Sequence, residues 1–166
     1  DANNWVAKQG LKMMETDDYK PEFFYIKNEY KHNKGIDAKE IFSFNKFMKA
    51  INKEDKWMIC CDSKTQADII SFLQEEGEYM LITAEGVYRN STKKWTNETP
   101  DLDECDKVIF SPAIVYGLDS VMERPVFCYF KERTISPNAM VQQIARCRNI
   151  KYLRYIFTKK SWEPYE

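Results

Sequence analysis

The chain has 166 residues, enough for one ordinary domain with a substantial core, and its 43% hydrophobic and 31% charged residues with only five Gly and six Pro exclude a disordered or fibrous polypeptide. No apolar run approaches the eighteen residues needed to cross a bilayer, and Asp1-Ala2-Asn3-Asn4 has none of the basic and apolar character of a signal peptide. The net charge of −1 hides an asymmetry: 16 basic residues face 23 acidic ones over 1–123, but nine face three over 124–166, which permits a local anion-binding surface there although a solvated basic face is the plainer reading.

In chain order, 1–20 carries helical spacing at Trp5, Leu11 and Met14 and reads as a connecting segment. Phe23-Phe24-Tyr25-Ile26 is expected to form a short strand. Apolar residues at Ile41, Phe44, Phe47, Met48 and Ile51 predict a helix over 38–51. Trp57 to Cys61 is a continuous apolar strand, followed by a helix with Asp62 or Ser63 as N-cap, Ala67, Ile70 and Leu73 on one side, and Gly77 as its stop. Tyr79 to Thr83 is a second buried strand, so the three elements make a βαβ unit of a parallel sheet. The polar stretch 84–105 predicts a loop. Strands are expected at Lys107–Phe110, Val126–Phe130 and Tyr152–Phe157, with a helix over Pro137–Arg148. Strands and helices alternating at these lengths favour an α/β sheet covered on both faces.

Five cysteines, Cys60, Cys61, Cys105, Cys128 and Cys147, show no CxxC spacing and read as small buried hydrophobes of a reducing, intracellular compartment. The single histidine, His32, sits in a polar stretch, which leaves no material for a histidine triad or multi-histidine metal site. No Gly-x-x-x-x-Gly-Lys-Ser/Thr loop is present, so this chain by itself is not expected to hydrolyse ATP.

In a parallel sheet, ligands bind beyond the carboxyl ends of the strands. Ser63 and Lys64 open a helix, where free N–H groups and the dipole favour a phosphate, although a plain cap explains Ser63 equally well. Thr83 places a hydroxyl at the sheet rim, where a turn role competes with ligand contact. Ser111, Gly117 and Asp119 bring together a strand-end hydroxyl, a position allowing close backbone approach, and a carboxylate able to bind a ribose or orient an arginine. Gln142 and Arg146, four apart, are expected to share an outward helical face, with Val141, Ile144 and Ala145 turned to the core. Arg146 could stabilise a transferring phosphoryl group, with Arg148 close by, whereas ordinary surface ion pairs are the plainer role for both.

The order of these motifs resembles the second, carboxyl-terminal RecA-like lobe of superfamily-2 helicases. Met58–Lys64 resembles motif IV, Leu81-Ile82-Thr83 motif IVa, Ser111–Asp119 motif V with Ser for the usual Thr, and Gln142–Arg148 motif VI with Ala145 for the usual Gly. Ser-Pro-x-Ile-x-x-Gly followed by Gln-x-x-x-Arg-x-Arg is most similar to the herpesvirus-type replication origin-binding helicases and their relatives in large DNA viruses.

The resemblance implies a RecA-like three-layer domain over 21–166, joined through 1–20 to an upstream lobe that holds ATP and Mg²⁺. It implies Arg146 and Arg148 as catalytic, with Arg146 the matching finger position. Gly117, Asp119 and Gln142 would line the nucleotide, and Ser63, Lys64, Thr83 and Ser111 would hold phosphates of a single strand, DNA being favoured. No metal ligand and no membrane partner is expected within the chain, and a viral origin would place it in the host nucleus or cytoplasm. The alternatives are a non-motor RecA-like docking or origin-recognition module and, less favoured, a nucleotide-binding α/β transferase.

Overall fold

A computed structural model describes residues 2–22, 24, 26, 27, 29, 33–74, 76–113, 117–131 and 135–157. The chain divides into two units, Asp1–Lys34 and Gly35–Glu166, each described by itself.

The first unit contains helix α1 (Ala2–Met14), with Lys12 in its last turn where a cation complements the helix dipole. A small turn follows, in which Thr16 and Tyr19 exchange backbone hydrogen bonds of 2.9 and 3.2 Å. The strand expected at Phe23–Ile26 is not found at Phe24 and Ile26, which lie in no regular element and are exposed; Phe23, Tyr25 and His32 lie outside the described residues. A strand needs neighbours for its backbone groups, and among the described residues this segment pairs with none.

The second unit is built on one eight-stranded sheet. Its strands are β1 (Ala38–Glu40), β2 (Trp57–Cys61), β3 (Tyr79–Thr83), β4 (Gly86–Arg89), β5 (Lys94–Thr96), β6 (Lys107–Phe110), β7 (Arg124–Phe130) and β8 (Ile150–Phe157). They lie in the order β1-β8-β7-β2-β6-β3-β4-β5. The run from β1 to β3 is parallel throughout, and β4 and β5 extend it antiparallel. The helices are α2 (Phe44–Asn52), α3 (Lys64–Phe72) and α4 (Pro137–Ile144).

Alternation along each strand divides the core in two. On β2, Trp57, Ile59 and Cys61 pack with Phe47 and Ile51 of α2 and Ala67 and Ile70 of α3. Met58 and Cys60 point the other way, into a layer that includes Leu102 and receives Met140 and Ile144 of α4. A sheet with helices on both faces results, an α/β architecture compatible with a RecA-like three-layer fold, as the alternation of elements in the sequence predicts. All five cysteines are buried and free. Burial pushes the Cys60 and Cys61 thiols well up, so they are inert fillers. Among the described residues, no helix is long and apolar enough to cross a membrane.

Several expected boundaries move, among them the starts of β7 at Arg124, ahead of Val126, and of β8 at Ile150, ahead of Tyr152. The helix expected from Ala38 begins only at Phe44, because Ala38–Glu40 pair with Leu153–Tyr155 of β8 and Ile41 N–H donates to the Tyr155 carbonyl at 2.8 Å. Ser43 then turns the chain in extended geometry at the N-cap. Helix α3 stops at Phe72, ahead of Gly77, with Leu73 as C-cap and the Gln74 side chain bonding the Ile70 carbonyl.

The expected loop at 84–105 holds the β4–β5 extension and a 3₁₀ turn at Leu102–Glu104. Thr83 pairs directly with Gly86, whose φ of +119° suits glycine, and a Cβ there would lie 2.3 Å from the Thr96 carbonyl. Asn90 fastens the next turn, donating to the Gly77 carbonyl at 2.7 Å and accepting from Tyr79 N–H at 2.8 Å. Polar turn residues therefore dominate the composition of a segment whose short strands carry Tyr88 and Trp95, packed 5.3 Å apart.

Finally, α4 ends at Ile144 and not at Arg148: Arg146 and Cys147 N–H groups bond back three residues, and Cys147 pairs with Ser120. The exposed face also differs from expectation. Val141 is exposed, and Gln143 is buried beside the partly buried Met140 and Ile144. Those three share the i, i+3, i+4 stripe that the Ser136-capped helix turns to the sheet.

Candidate functional site

The singled-out residues fall into two groups at opposite ends of the parallel strands. Ser63 follows β2, Ser111 follows β6 and Thr83 ends β3, so three hydroxyl residues finish three neighbouring strands at the carboxyl edge. Arg146 and Arg148 lie in the turn before β8, and Asp119 in the segment before β7, at the amino edge. Four to eight residues separate the edges along β2, β3, β6, β7 and β8, about 13–26 Å at strand rise. Gln142 is exposed on α4. Residues 114–116, the middle of the motif-V-like segment, lie outside the described residues.

At the carboxyl edge, Ser63 is an N-cap whose Oγ accepts from Gln66 N–H at 3.3 Å. Buried Asp62, just before it, ties β2 to β7 by accepting from Lys131 N–H at 2.9 Å. Lys64 is hydrogen-bonded and ion-paired to Glu85, and that bond raises the pKa of its ammonium group. Thr83 is buried, and its hydroxyl accepts from Glu85 N–H at 3.2 Å, the turn role. Ser111 is also buried, its N–H bonded to the Ile82 carbonyl at 3.0 Å. Gln143, absent from the expected set, reaches this edge from α4 and donates to the Cys61 carbonyl at 3.2 Å.

At the amino edge, Asp119 accepts from Arg148 at 2.7 Å and lies 3.8 Å from an Arg146 guanidinium nitrogen, which also donates to the Leu118 carbonyl at 3.4 Å. The Arg146 side chain is 13% exposed and that of Arg148 48%. Arg148 therefore reaches the cluster because the helix ends before it, the condition its two-residue offset from Arg146 requires. Gly117 has a φ of +86°, a backbone conformation that favours glycine, and among the described residues nothing lies within 4 Å of where its Cβ would be.

Beneath this pair lies a buried polar network that the sequence did not single out. Arg124, with no exposed surface, donates to the carbonyls of Leu102, Cys105 and Asp106 at 2.7, 2.7 and 3.1 Å, to Ser120 Oγ at 2.8 Å and to Asp103 at 3.2 Å. Burial alone would raise the Asp103 carboxyl, but hydrogen bonds from Ser120, Val121 and Met122 and the Arg124 charge hold it below its ordinary value. Burial lowers the Arg124 guanidinium, opposed by Asp103. Nothing in sequence distinguishes Arg124 from a solvated arginine at a strand start, or Asp103 from its neighbours in Asp101-Leu102-Asp103-Glu104.

A cavity of about 320 Å³ also opens at the amino edge, lined by Asp55, Glu78, Glu104, Asp106 and Lys107 among others. Its preponderance of carboxylates is the wrong sign for phosphate. Among the described residues, no three His, Cys, Asp or Glu groups are gathered as metal ligands. The arginine pair carries the charge and the planar donors that an anion's oxygens take, and both guanidinium groups engage Asp119. No protein-family model, no curated protein and no solved structure matches the chain.

Proposed function

We propose that the chain is the second motor lobe of an ATP-dependent nucleic-acid helicase or translocase of superfamily 2, acting in viral DNA replication. The supporting observation is the convergence of Arg146 and Arg148 on Asp119 at one edge of the sheet, with Ser63 and Lys64 opening α3 at the other, where Thr83 and Ser111 are buried. Such a division suits a lobe that presents cations to a nucleotide on one side and touches strand phosphates on the other. A first lobe would hold ATP and Mg²⁺, and the arginines here would offset the charge that develops as the γ-phosphoryl group leaves. Ser63 and Lys64 would grip backbone phosphates without reading bases, giving sequence-tolerant, salt-sensitive binding.

The test is ATP turnover of the full polypeptide, with and without single-stranded DNA, beside Arg146→Ala and Arg148→Ala. Loss of an arginine finger lowers turnover by about 10³-fold or more while strand binding persists. Undiminished turnover in both variants would remove the arginine assignment.

One observation favours a second reading, a non-motor docking or origin-recognition module: Glu85 already engages Lys64 through its carboxylate and Thr83 through its backbone N–H. If the full polypeptide binds DNA but turns over no ATP, this module is the better description.

A further inference from the structure

We propose that Ser120 is a positioning residue that fixes both arginines and their carboxylate partner as one unit; this rests on the motor reading above. Ser120 is fully buried. Its N–H donates to the Arg146 carbonyl at 2.7 Å, and its carbonyl accepts from Arg148 N–H at 2.9 Å, so a single residue pins the backbone on both sides of Cys147. Asp119, on which the two guanidinium groups converge, is its immediate chain neighbour. Any shift of Ser120 therefore moves all three charged residues together.

The side chain of Ser120 shows what prevents that shift. Its hydroxyl donates to Asp103 at 2.5 Å and accepts from Arg124 at 2.8 Å. Asp103 also accepts from Val121 N–H at 3.0 Å and Met122 N–H at 3.4 Å, gripping the two residues that follow. Arg124 also donates to Asp103 and to the carbonyls of Leu102, Cys105 and Asp106, at the 3₁₀ turn and the entry to β6. Arg124 itself begins β7, where it pairs with Ile150 of β8. The segment bearing Asp119 is thus anchored to the starts of three core strands through the Ser120 hydroxyl together with the Val121 and Met122 N–H groups. None of Asp103, Ser120 and Arg124 belongs to the arginine pair, and Ser120 and Arg124 have no exposed surface; their role is to hold the pair in alignment.

The experiment is steady-state ATP turnover of the full polypeptide with single-stranded DNA, for Ser120→Ala, Ser120→Thr, Asp103→Asn and the two single arginine variants, each checked by thermal unfolding. Misplacement of a reacting group by about 1 Å can cost about a hundredfold, so Ser120→Ala is expected to lower kcat about 10- to 100-fold. The KM for ATP and the affinity for single strands, which is carried at the opposite edge, stay near those of the parent. Ser120→Thr retains the hydroxyl and recovers turnover. Should Ser120→Ala fail to fold, Asp103→Asn weakens the same anchor while keeping its shape, and a loss confined to kcat is again expected. Wild-type turnover in Ser120→Ala, with both arginine variants impaired, overturns the positioning role and leaves the motor reading standing. A parallel loss of stability, KM and strand affinity in the Ser120 and Asp103 variants also overturns it, as simple destabilisation. If the arginine variants are themselves unimpaired, the arginine assignment fails and this role falls with it.

Discussion

Replacing Arg124 by Met keeps much of the side-chain volume and removes every donor. The guanidinium lies wholly inside the protein and holds three backbone carbonyls, the Ser120 hydroxyl and the Asp103 carboxylate. An acceptor left bare in the interior costs about 1–3 kcal/mol. The Asp103 side chain is a quarter exposed, so entering water offsets part of that sum. The net loss is set at about 3–5 kcal/mol, as for buried ion pairs broken from one side.

Against a total stability of roughly 5–15 kcal/mol, this is a large fraction. Urea unfolding would report it as a lower midpoint with unchanged slope, and thermal unfolding as a fall of roughly 6–20 °C. Arg124→Lys should recover only part, since one ammonium group cannot span the fork of acceptors. The same network sets an acid limb. The Asp103 carboxyl is held below its ordinary value, so its contribution is complete above the unfolded value of about 4 and is lost as the pH falls through the lower folded value. Asp103→Asn should flatten that limb. A loss below about 1 kcal/mol in Arg124→Met, the range of an exposed pair, would refute the picture of Arg124 as the anchor of this edge.

Two further perturbations test the opposite side of the sheet. Gly86→Ala combines a φ of +119° with a 2.3 Å approach to the Thr96 carbonyl, so it should cost about 1–3 kcal/mol in urea unfolding and expose the β4–β5 hairpin to protease; full retention of both would show that the turn relaxes freely. Glu85→Gln frees the Lys64 ammonium for a phosphate, so single-strand affinity should rise and the slope of log affinity against log salt should steepen by about one; an unchanged slope would exclude Lys64 from the interface.

Most core strands were legible because a strand buried on both faces is a short unbroken apolar run: Trp57–Cys61, Tyr79–Thr83 and Lys107–Phe110 were located to the residue. The parallel order of the sheet and its cover on both faces followed from helices alternating with those runs. The hydroxyl at each strand end was equally visible, since one residue after an apolar run is a position in sequence as well as in space. Local signals were not enough where pairing decided the outcome. Ala38–Glu40 is a strand because β8 lies beside it, and Gly86–Arg89 because β3 does. Nor could periodicity choose which face of α4 turns inward: the observed stripe of Met140, Gln143 and Ile144 is rotated by about 100° from that of Val141, Ile144 and Ala145, and it carries a polar residue.

The amino-acid sequence by itself determined the α/β class, most of the strands, the buried cysteines and the presence of Asp119, Arg146 and Arg148 in a motif-like order. The tertiary structure alone decided that these three converge, that they stand at the opposite edge from Ser63, Thr83 and Ser111, and that Ser120, Asp103 and Arg124 lie beneath them. The physical reason is that hydrophobic periodicity reports burial against solvent, which neighbours in the chain share. A polar contact such as Arg124 with Leu102, or Arg148 with Asp119, joins residues 22 and 29 positions apart, and only the closed sheet brings them together.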